Sequence, residues 1–490
     1  MDPYIAAVSV YIIILIGVGV YKSRGIKTQE DFMVAGRKTS TIFLVGTLVS
    51  TWIGSGSLFG GAGLAFRMGF SQLWMTAGAG VAIVIVYFLA HRVRRISEYT
   101  VSDILEMRYN STARLLGTIT IIIAYLTIAG YQFRAGGRLL NILAGMDPRV
   151  GGAVACAVVI LFTVLAGMVS IMSIDLFNGL MKTCGLIVAL PLLLAAVGGL
   201  KHVATLPADH FEVFGKENWV WAMGVFFPTF FLLLGESSIY QKFFSAKDER
   251  SARRAVIGMV IGVVILETML CALSVVASSK YISLPPFAGP DGTLDKAATE
   301  TIVLQVARFD LPLVAGMVLI CAAVAMMLST ANSFLMIPST NVTRDIYQRF
   351  INPSVSQSTI VRFQRITIVV LGIAAYVVAS FFKSILDMAF TAYSMVGAGI
   401  TPALLAAFLW KRVTVAGGIA SMVAGLGVPF GITVLNFILP TPLMETDYII
   451  LPSAAASILC LVVVSLLTSR PPEEKWRPFM EAAGTAQRAA

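Results

Sequence analysis

Long apolar runs separated by short polar gaps fill the chain from Tyr4 to Leu467. A helix needs about 20 apolar residues to cross the hydrocarbon layer of a bilayer. Windows of that kind occur at 4–21, 41–66, 70–91, 115–143, 150–172, 176–200, 218–240, 254–279, 312–340, 362–383, 386–410, 414–438 and 448–468. Spans two, four and nine are long and carry polar residues, which predicts tilted or broken helices or helices that extend beyond the bilayer. Membrane-spanning strands would instead read as short alternating segments. The pattern therefore predicts an all-α integral membrane protein of about 13 transmembrane helices.

Composition narrows the function classes. Of 490 residues, 57% are hydrophobic and only 13% charged, against roughly 25% charged in soluble domains. A soluble enzyme and a disordered chain are both excluded. The net charge of +10 comes from Lys and Arg in the gaps between spans. Binding a nucleic acid needs a solvated basic face, so no nucleic-acid partner is expected. With the N-terminus outside, 25 of the 36 basic residues fall on the cytoplasmic side, ten fall outside, and Lys182 lies within a span. The positive-inside rule then puts the C-terminus in the cytoplasm. The opening MDPY carries no basic residue ahead of the first run, so a cleaved signal peptide is not expected. Five cysteines stand singly, and His202 and His210 share one loop eight residues apart. Neither set has metal-ligand or disulfide spacing.

Two polar stretches interrupt the spans. In VSTWIGSGSLFGGAG, Val49 to Gly63, half of the residues from Gly54 to Gly63 are glycine. Each glycine costs a helix about 1 kcal/mol relative to alanine. Small residues also allow close helix packing, but glycine at this density, with Ser50, Ser55 and Ser57, favours an unwound segment whose freed carbonyls can hold a cation or polar solute. In span nine, Ser329, Thr330, Asn332 and Ser333 follow an apolar run. A lone hydroxyl in a span bonds back to its own helix; four polar side chains together supply oxygen ligands suited to a hard cation.

Ionisable residues in or near spans form a third group: Asp175, Lys182, Glu236 and Glu267. A charge at mid-membrane is a functional candidate by default. Asp175 and Lys182 lie two helical turns apart on one face, placed to pair or to share an ion site. Glu236 reads equally as a group snorkelling toward the cytoplasmic end. Glu267 has no partner nearby in sequence, and a bond to a neighbouring helix is as good a reading as a transport role. Spans two to six and seven to eleven form two five-helix units, inverted because five is odd. Pro228 and Gly235 interrupt span seven, matching the break in span two, and paired interruptions of this kind mark transporter sites.

These residues resemble the sodium/solute symporter family, which includes sodium-coupled galactose, proline, pantothenate, sialic acid and choline carriers. The motifs are EDFMVAGRK (30–38), the glycine stretch of span two, VSDILEMRY (101–109), SIDLFNG (173–179), YQKFFSAKDERSARRA (240–255), the span-nine Ser-Thr cluster ending in Asp-Ile-Tyr, and AYSMVGAGITPALLAAFLWKRVTVAGGIAS (392–421). The resemblance implies a five-plus-five inverted-repeat core of the amino-acid/sodium symporter type with broken helices. Its parts would be a first span and cytoplasmic loop (1–40), the repeats 41–200 and 218–410, two peripheral spans (411–468) and a cytoplasmic tail (469–490).

The resemblance also implies roles. Sodium would lie between spans two and nine, on the carbonyls of Ser50, Ile53 and Met326 and the hydroxyls of Ser329 and Thr330. Asp175, with Asn332 and Ser333, would form a second ion site or the sodium exit. Solute contacts would come from Gly56, Ser57, Tyr131 and Gln132, with Phe230, Phe231 and Tyr393 as walls or gates. Lys182, Glu236 and Glu267 are coupling candidates. Asn178 stands where the family carries Gln, and Lys182 is unusual, since in other carriers of this architecture a lysine on the corresponding helix replaces sodium and couples to protons.

The expected function is therefore sodium-coupled symport of a small polar organic solute by alternating access, with no organic cofactor. Proton coupling through Lys182 and Asp175, or a transporter-like channel or sensor, is the alternative. The tail from Thr468 is too short for a kinase or receiver domain, which argues against a fused sensor. A membrane enzyme would need a nucleophile–base pair or metal cluster at one depth, and the spans carry none. Arg134 is placed to reach a solute carboxylate, and a neutral or zwitterionic solute fits best. The short loops point to a bacterial inner membrane.

Overall fold

The computed structural model describes residues 2–23, 29–96 and 98–480. Residues 481–490 of the tail, and Arg24 and Lys27 of the first loop, lie outside the described residues. Within them the chain is helical, with two isolated bridges and no strand. Twelve stretches are long and apolar enough to cross a membrane. One of them, Gly56–Ile96, has 41 residues. At about 1.5 Å per residue it is twice the thickness of the hydrocarbon layer. It is divided at Gly69, whose φ of 64° suits glycine alone without strain. The shorter apolar helix Thr41–Trp52 completes the first of these two passes, which makes thirteen in all.

The passes are α1 (Pro3–Ser23), α2 (Thr41–Trp52) continued by α3 (Ala62–Met68), α4 (Leu73–Ile96), then, after the short α5 (Val101–Arg108), α6 (Ser111–Ala144). Next come α7 (Pro148–Leu165), α8 (Gly167–Ala196), α9 (Trp219–Gly235) continued by α10 (Ser237–Ser245), α11 (Glu249–Tyr281) and α12 (Leu313–Thr340). The series ends with α13 (Gln357–Ala379), α14 (Ile385–Gly399) continued by α15 (Thr401–Leu409), α16 (Val415–Ile438) and α17 (Ile450–Leu467). Side-chain caps start several of them. Asn110, Asp147, Asn218 and Asp248 accept backbone N–H bonds at the starts of α6, α7, α9 and α11, satisfying donors that a helix leaves free at its first turn.

Burial sorts the passes. The most apolar windows of Leu313–Ile351 and Ile385–Leu409 are 78% and 89% buried, against 28% for Pro3–Lys22 and for Gly167–Ala196. The span-nine and span-eleven helices are thus the centre of the bundle. The outer helices turn Ile13, Ile14, Phe88, Ile187 and Ile373 outward.

Two boundaries differ from the sequence reading. The fifth and sixth spans part at Gly167 (φ 58°, ψ 173°), before Asp175 instead of next to it, because glycine is the residue that accepts this conformation. Span seven continues through Pro228, which lies inside α9, and breaks directly after Gly235, the other expected interruption, at Glu236, which is extended (ψ 109°) between α9 and α10. Proline removes one helix hydrogen bond, which a buried helix tolerates. The Glu-Ser-Ser run offers side-chain oxygens that compete with the helix ladder.

Candidate functional site: the break in span two against span nine

The first half of span two ends at Ile53 (φ −80°, ψ 89°). The chain resumes as a wide π-type turn, Gly56–Gly61, leading into α3. Gly54 faces span nine so closely that a Cβ there would overlap Thr330 Oγ1. Contact across the break depends on that missing side chain. Thr330 Oγ1 donates to the Thr51 carbonyl (2.9 Å), and Ser329 Oγ donates to the Ser50 carbonyl (2.6 Å). The backbone N–H of Ser55 donates to Gln132 Oε1 at 3.1 Å, so α6 holds the far side of the break.

Lys182 reaches into this junction from α8. Its Nζ donates to the Ser50 carbonyl (2.5 Å), Ser50 Oγ (3.0 Å), the Ile53 carbonyl (3.0 Å) and Ser329 Oγ (2.7 Å). Three of the five residues expected to hold sodium therefore converge on one point, and an ammonium nitrogen sits at it. The other two, Met326 and Thr330, are buried in the same helix. Sequence spacing puts Lys182 beside Asp175; the structure instead turns it to the unwound carbonyls, and no Asp175–Lys182 ion pair forms.

Of the second expected group, Asp175 and Ser333 meet Thr47 and Thr51, one turn apart on α2, while Asn332 bonds elsewhere. Asp175 Oδ2 accepts from Thr47 Oγ1 at 2.5 Å, and its Oδ1 is buried without a partner. Asn332 Oδ1 accepts from Thr163 Oγ1 at 3.1 Å. Ser333 Oγ lies 3.1 Å from Thr51 Oγ1. Lys242, counted from the sequence as a loop residue, is buried and donates to Thr51 Oγ1 and to the Thr47 carbonyl. The available signal was the apolar neighbourhood Ile239, Tyr240, Phe243 and Phe244, which carries the buried face of α10 past the Gln-Lys pair.

Beyond the break lies a small chamber. Trp52, Ser57, Met75, Thr76, Glu267 and Tyr393 line it, and the space open to the centre of a water-sized sphere is about 10 Å³, room for about one water. Ser57 Oγ donates to Glu267 Oε1 at 2.5 Å. The hydroxyls of Tyr131 and Tyr393 are 3.3 Å apart, and both close over Gly56. Gln132 leaves its amide nitrogen buried without a partner. Phe230 is elsewhere, packed with Phe226, Phe227 and Phe231. Glu236 is not a surface group at all: it is buried at the break in span seven and accepts from Ser238 Oγ.

Polar networks close both ends of the bundle. At one end Glu300 accepts from Arg138, from Ser384 Oγ and from the backbone N–H groups of Ile385 and Leu386. Arg134 does not reach the chamber; it donates to the carbonyls of Ala379 and Lys383. At the other end Arg114 pairs with Asp103, Glu106 and Asp345. Among the described residues no group of three or more His, Cys, Asp or Glu is placed to hold a metal.

Known proteins match this chain over most of its length. The sodium:solute symporter family matches residues 32–425. The osmoregulated proline transporter OpuE of Bacillus subtilis is 25% identical over 97% of both chains. The high-affinity proline transporter PutP of the same organism is 26% identical over 94% of this chain and 96% of its own. Among solved structures, a sodium-coupled sialic acid symporter in a substrate-bound outward-open state superposes with a TM-score of 0.79 at 17% identity, over 96% of this chain and 99% of that one. The nucleobase-cation-symport transporter Mhp1 in a closed conformation gives 0.58 at 10% identity, over 91% and 97%. The fold is thus that of paired five-helix repeats around broken helices, and the chain belongs to the sodium:solute symporter family: it is an integral membrane secondary transporter, not an enzyme, and sodium is the ion coupled to its small-molecule solute.

Proposed function

We propose that this chain carries a small polar organic solute, an amino acid, sugar, amine or carboxylate, by alternating access around the junction of spans two and nine. The observation that carries the reading is the convergence of the Ser50 and Ile53 carbonyls with the Ser329 hydroxyl on one point beside the break. Oxygen atoms so arranged suit a hard monovalent cation. A cation there ties span two to span nine, and Ser57 and Tyr393 then meet the solute in the adjoining chamber. Coupling follows if sodium binds the solute-competent state preferentially. The repeats are assigned to 41–200 and 218–410, with the N-terminus outside and the C-terminus in the cytoplasm of a bacterial inner membrane. Two of the relatives are proline transporters by name, which makes amino acids the first solutes to try. In proteoliposomes, uptake of such a solute should rise with an inward sodium gradient, and Ser329→Ala should abolish the rise. Uptake indifferent to sodium would refute the assignment.

A second reading is favoured by the four contacts of Lys182. A tethered ammonium fills the cation position for part of the cycle, and the proton it carries joins sodium in the coupling, with Asp175 the nearest acid on the same helix. A further rise in sodium-driven uptake under an inward proton gradient, lost in Lys182→Ala, would support it; no response to protons would dismiss it.

A further inference from the structure

From the chamber wall we infer the chemical class of the solute: it carries an ammonium group, primary, secondary or quaternary, that docks on the Glu267 carboxylate. The inference rests on the transport reading above and specifies the ligand of the same site.

Glu267 lies in the middle of α11, is 5% exposed, and faces the chamber. An ionised carboxylate offers about four acceptor positions. One bond to Glu267 is present, from Ser57. Among the described residues no Lys, Arg or His comes within 4.0 Å of it. The two embedded lysines are committed elsewhere, Lys182 to Ser50, Ile53 and Ser329, and Lys242 to Thr47 and Thr51. A buried carboxylate without a cation takes up a proton instead, and an ammonium arriving with the ligand supplies the charge that keeps Glu267 ionised.

The rest of the wall decides which cation. Ser57, Thr76, Thr229 and Tyr393 put hydroxyls on this wall beside Trp52, Met75 and Ala79, which offer no oxygen, so the lining is mixed, as suits an organic cation with apolar carbons around its charge. Aromatic faces beside a carboxylate likewise suit an organic ammonium, which gains from the ring quadrupole and from apolar contact around its carbons. Trp52 and Tyr393 stand on the chamber and Tyr131 next to Tyr393. For a zwitterion the opposite charge has donors within reach of the break: Gln132 Nε2 and Ser55 Oγ are both buried and unpartnered. The chamber as it stands holds about one water, so the solute enters as the Ser57–Glu267 contact and the tyrosine pair open.

The test is equilibrium binding to the purified full chain by calorimetry, using proline and choline as probes. Each is compared with an isostere that lacks the charged nitrogen, cyclopentanecarboxylate and 3,3-dimethylbutanol. At least one ammonium probe should bind, with its isostere weaker by about tenfold or more, the scale of a hydrogen bond to a charged group for proline and of a desolvated cation–π contact for choline. Glu267→Gln should erase the preference and Glu267→Asp should retain part of it. If the glutamine variant fails to fold, the wild-type preference and the aspartate variant decide. Equal binding of the isosteres, an unchanged preference in Glu267→Gln, binding of neither ammonium probe, or competitive displacement of the probe by sodium would each overturn the inference. Ammonium binding that persists while uptake ignores sodium gradients would sink the coupling assignment and leave this one standing.

Discussion

The ammonium of Lys182 lies 2.7 Å from Ser329 Oγ and 3.0 Å from the Ile53 carbonyl oxygen, so one nitrogen bridges the two helices that a coupling ion would bridge. On the proposed reading, sodium and Lys182 compete for a single position. Removing the side chain should free it. Lys182→Ala or Lys182→Met is expected to lower the sodium concentration needed to raise thermal stability by about tenfold or more, the effect of about 1.4 kcal/mol of relieved competition. Melting curves across sodium, with potassium as control, read this directly; an identical sodium response in the variants would dismiss the competition.

Gly54 is the position where span two touches Thr330. A methyl group there overlaps Thr330 Oγ1, which forces the helices apart or turns the threonine out of its bond to Thr51. Gly54→Ala should cost about 1–3 kcal/mol and remove sodium-stimulated uptake. Gly427 is the control, since a methyl group added there would meet nothing within 4 Å, and Gly427→Ala should transport normally.

Arg114 gathers three carboxylates, of which Asp345 and Asp103 are buried. Loss of the shared cation strands like charges away from water. Arg114→Ala should destabilise by about 3–5 kcal/mol. Replacing Asp345 with Asn at the same time should recover part of the loss, because one stranded charge is removed. Thermal denaturation of Arg114→Ala, Asp345→Asn and the double variant measures the coupling.

Glu300 anchors the start of α14 by accepting from two backbone N–H groups while it pairs with Arg138. Glu300→Ala takes the acceptor from the Ile385 and Leu386 N–H groups and the Ser384 hydroxyl, and the carboxylate from Arg138. A fall in stability of about 2–5 kcal/mol is expected, with faster labelling of a cysteine placed at Gly60, whose neighbour is Leu386. Unchanged labelling would mean that this network does not hold that end of the bundle closed.

What was legible in the sequence was whatever depends on local pattern. Hydrophobic length set the passes, because a bilayer imposes a minimum run on each helix. Glycine density located the break in span two, because its helix cost is local. The Ser329–Thr330 cluster and the mid-span carboxylates could be named, since polar groups in apolar runs stand out. Partnership could not be read. Lys182 and Asp175 share a helix face, yet the lysine turns to carbonyls of α2 that exist as free acceptors only once that helix has unwound. Pro228 and Gly235 both read as interruptions of span seven, but α9 runs through Pro228 and ends only at Gly235, where Glu236 is extended. Lys242 reads as a loop charge until α10 is packed against α2, and Glu267 has no partner until α11 brings it to Ser57. The sequence alone determined that this is a many-span, all-helical membrane protein with a broken second span. Which polar atoms meet inside it was decided by the tertiary structure, because helices far apart in the chain supply the donors and acceptors that the membrane interior does not.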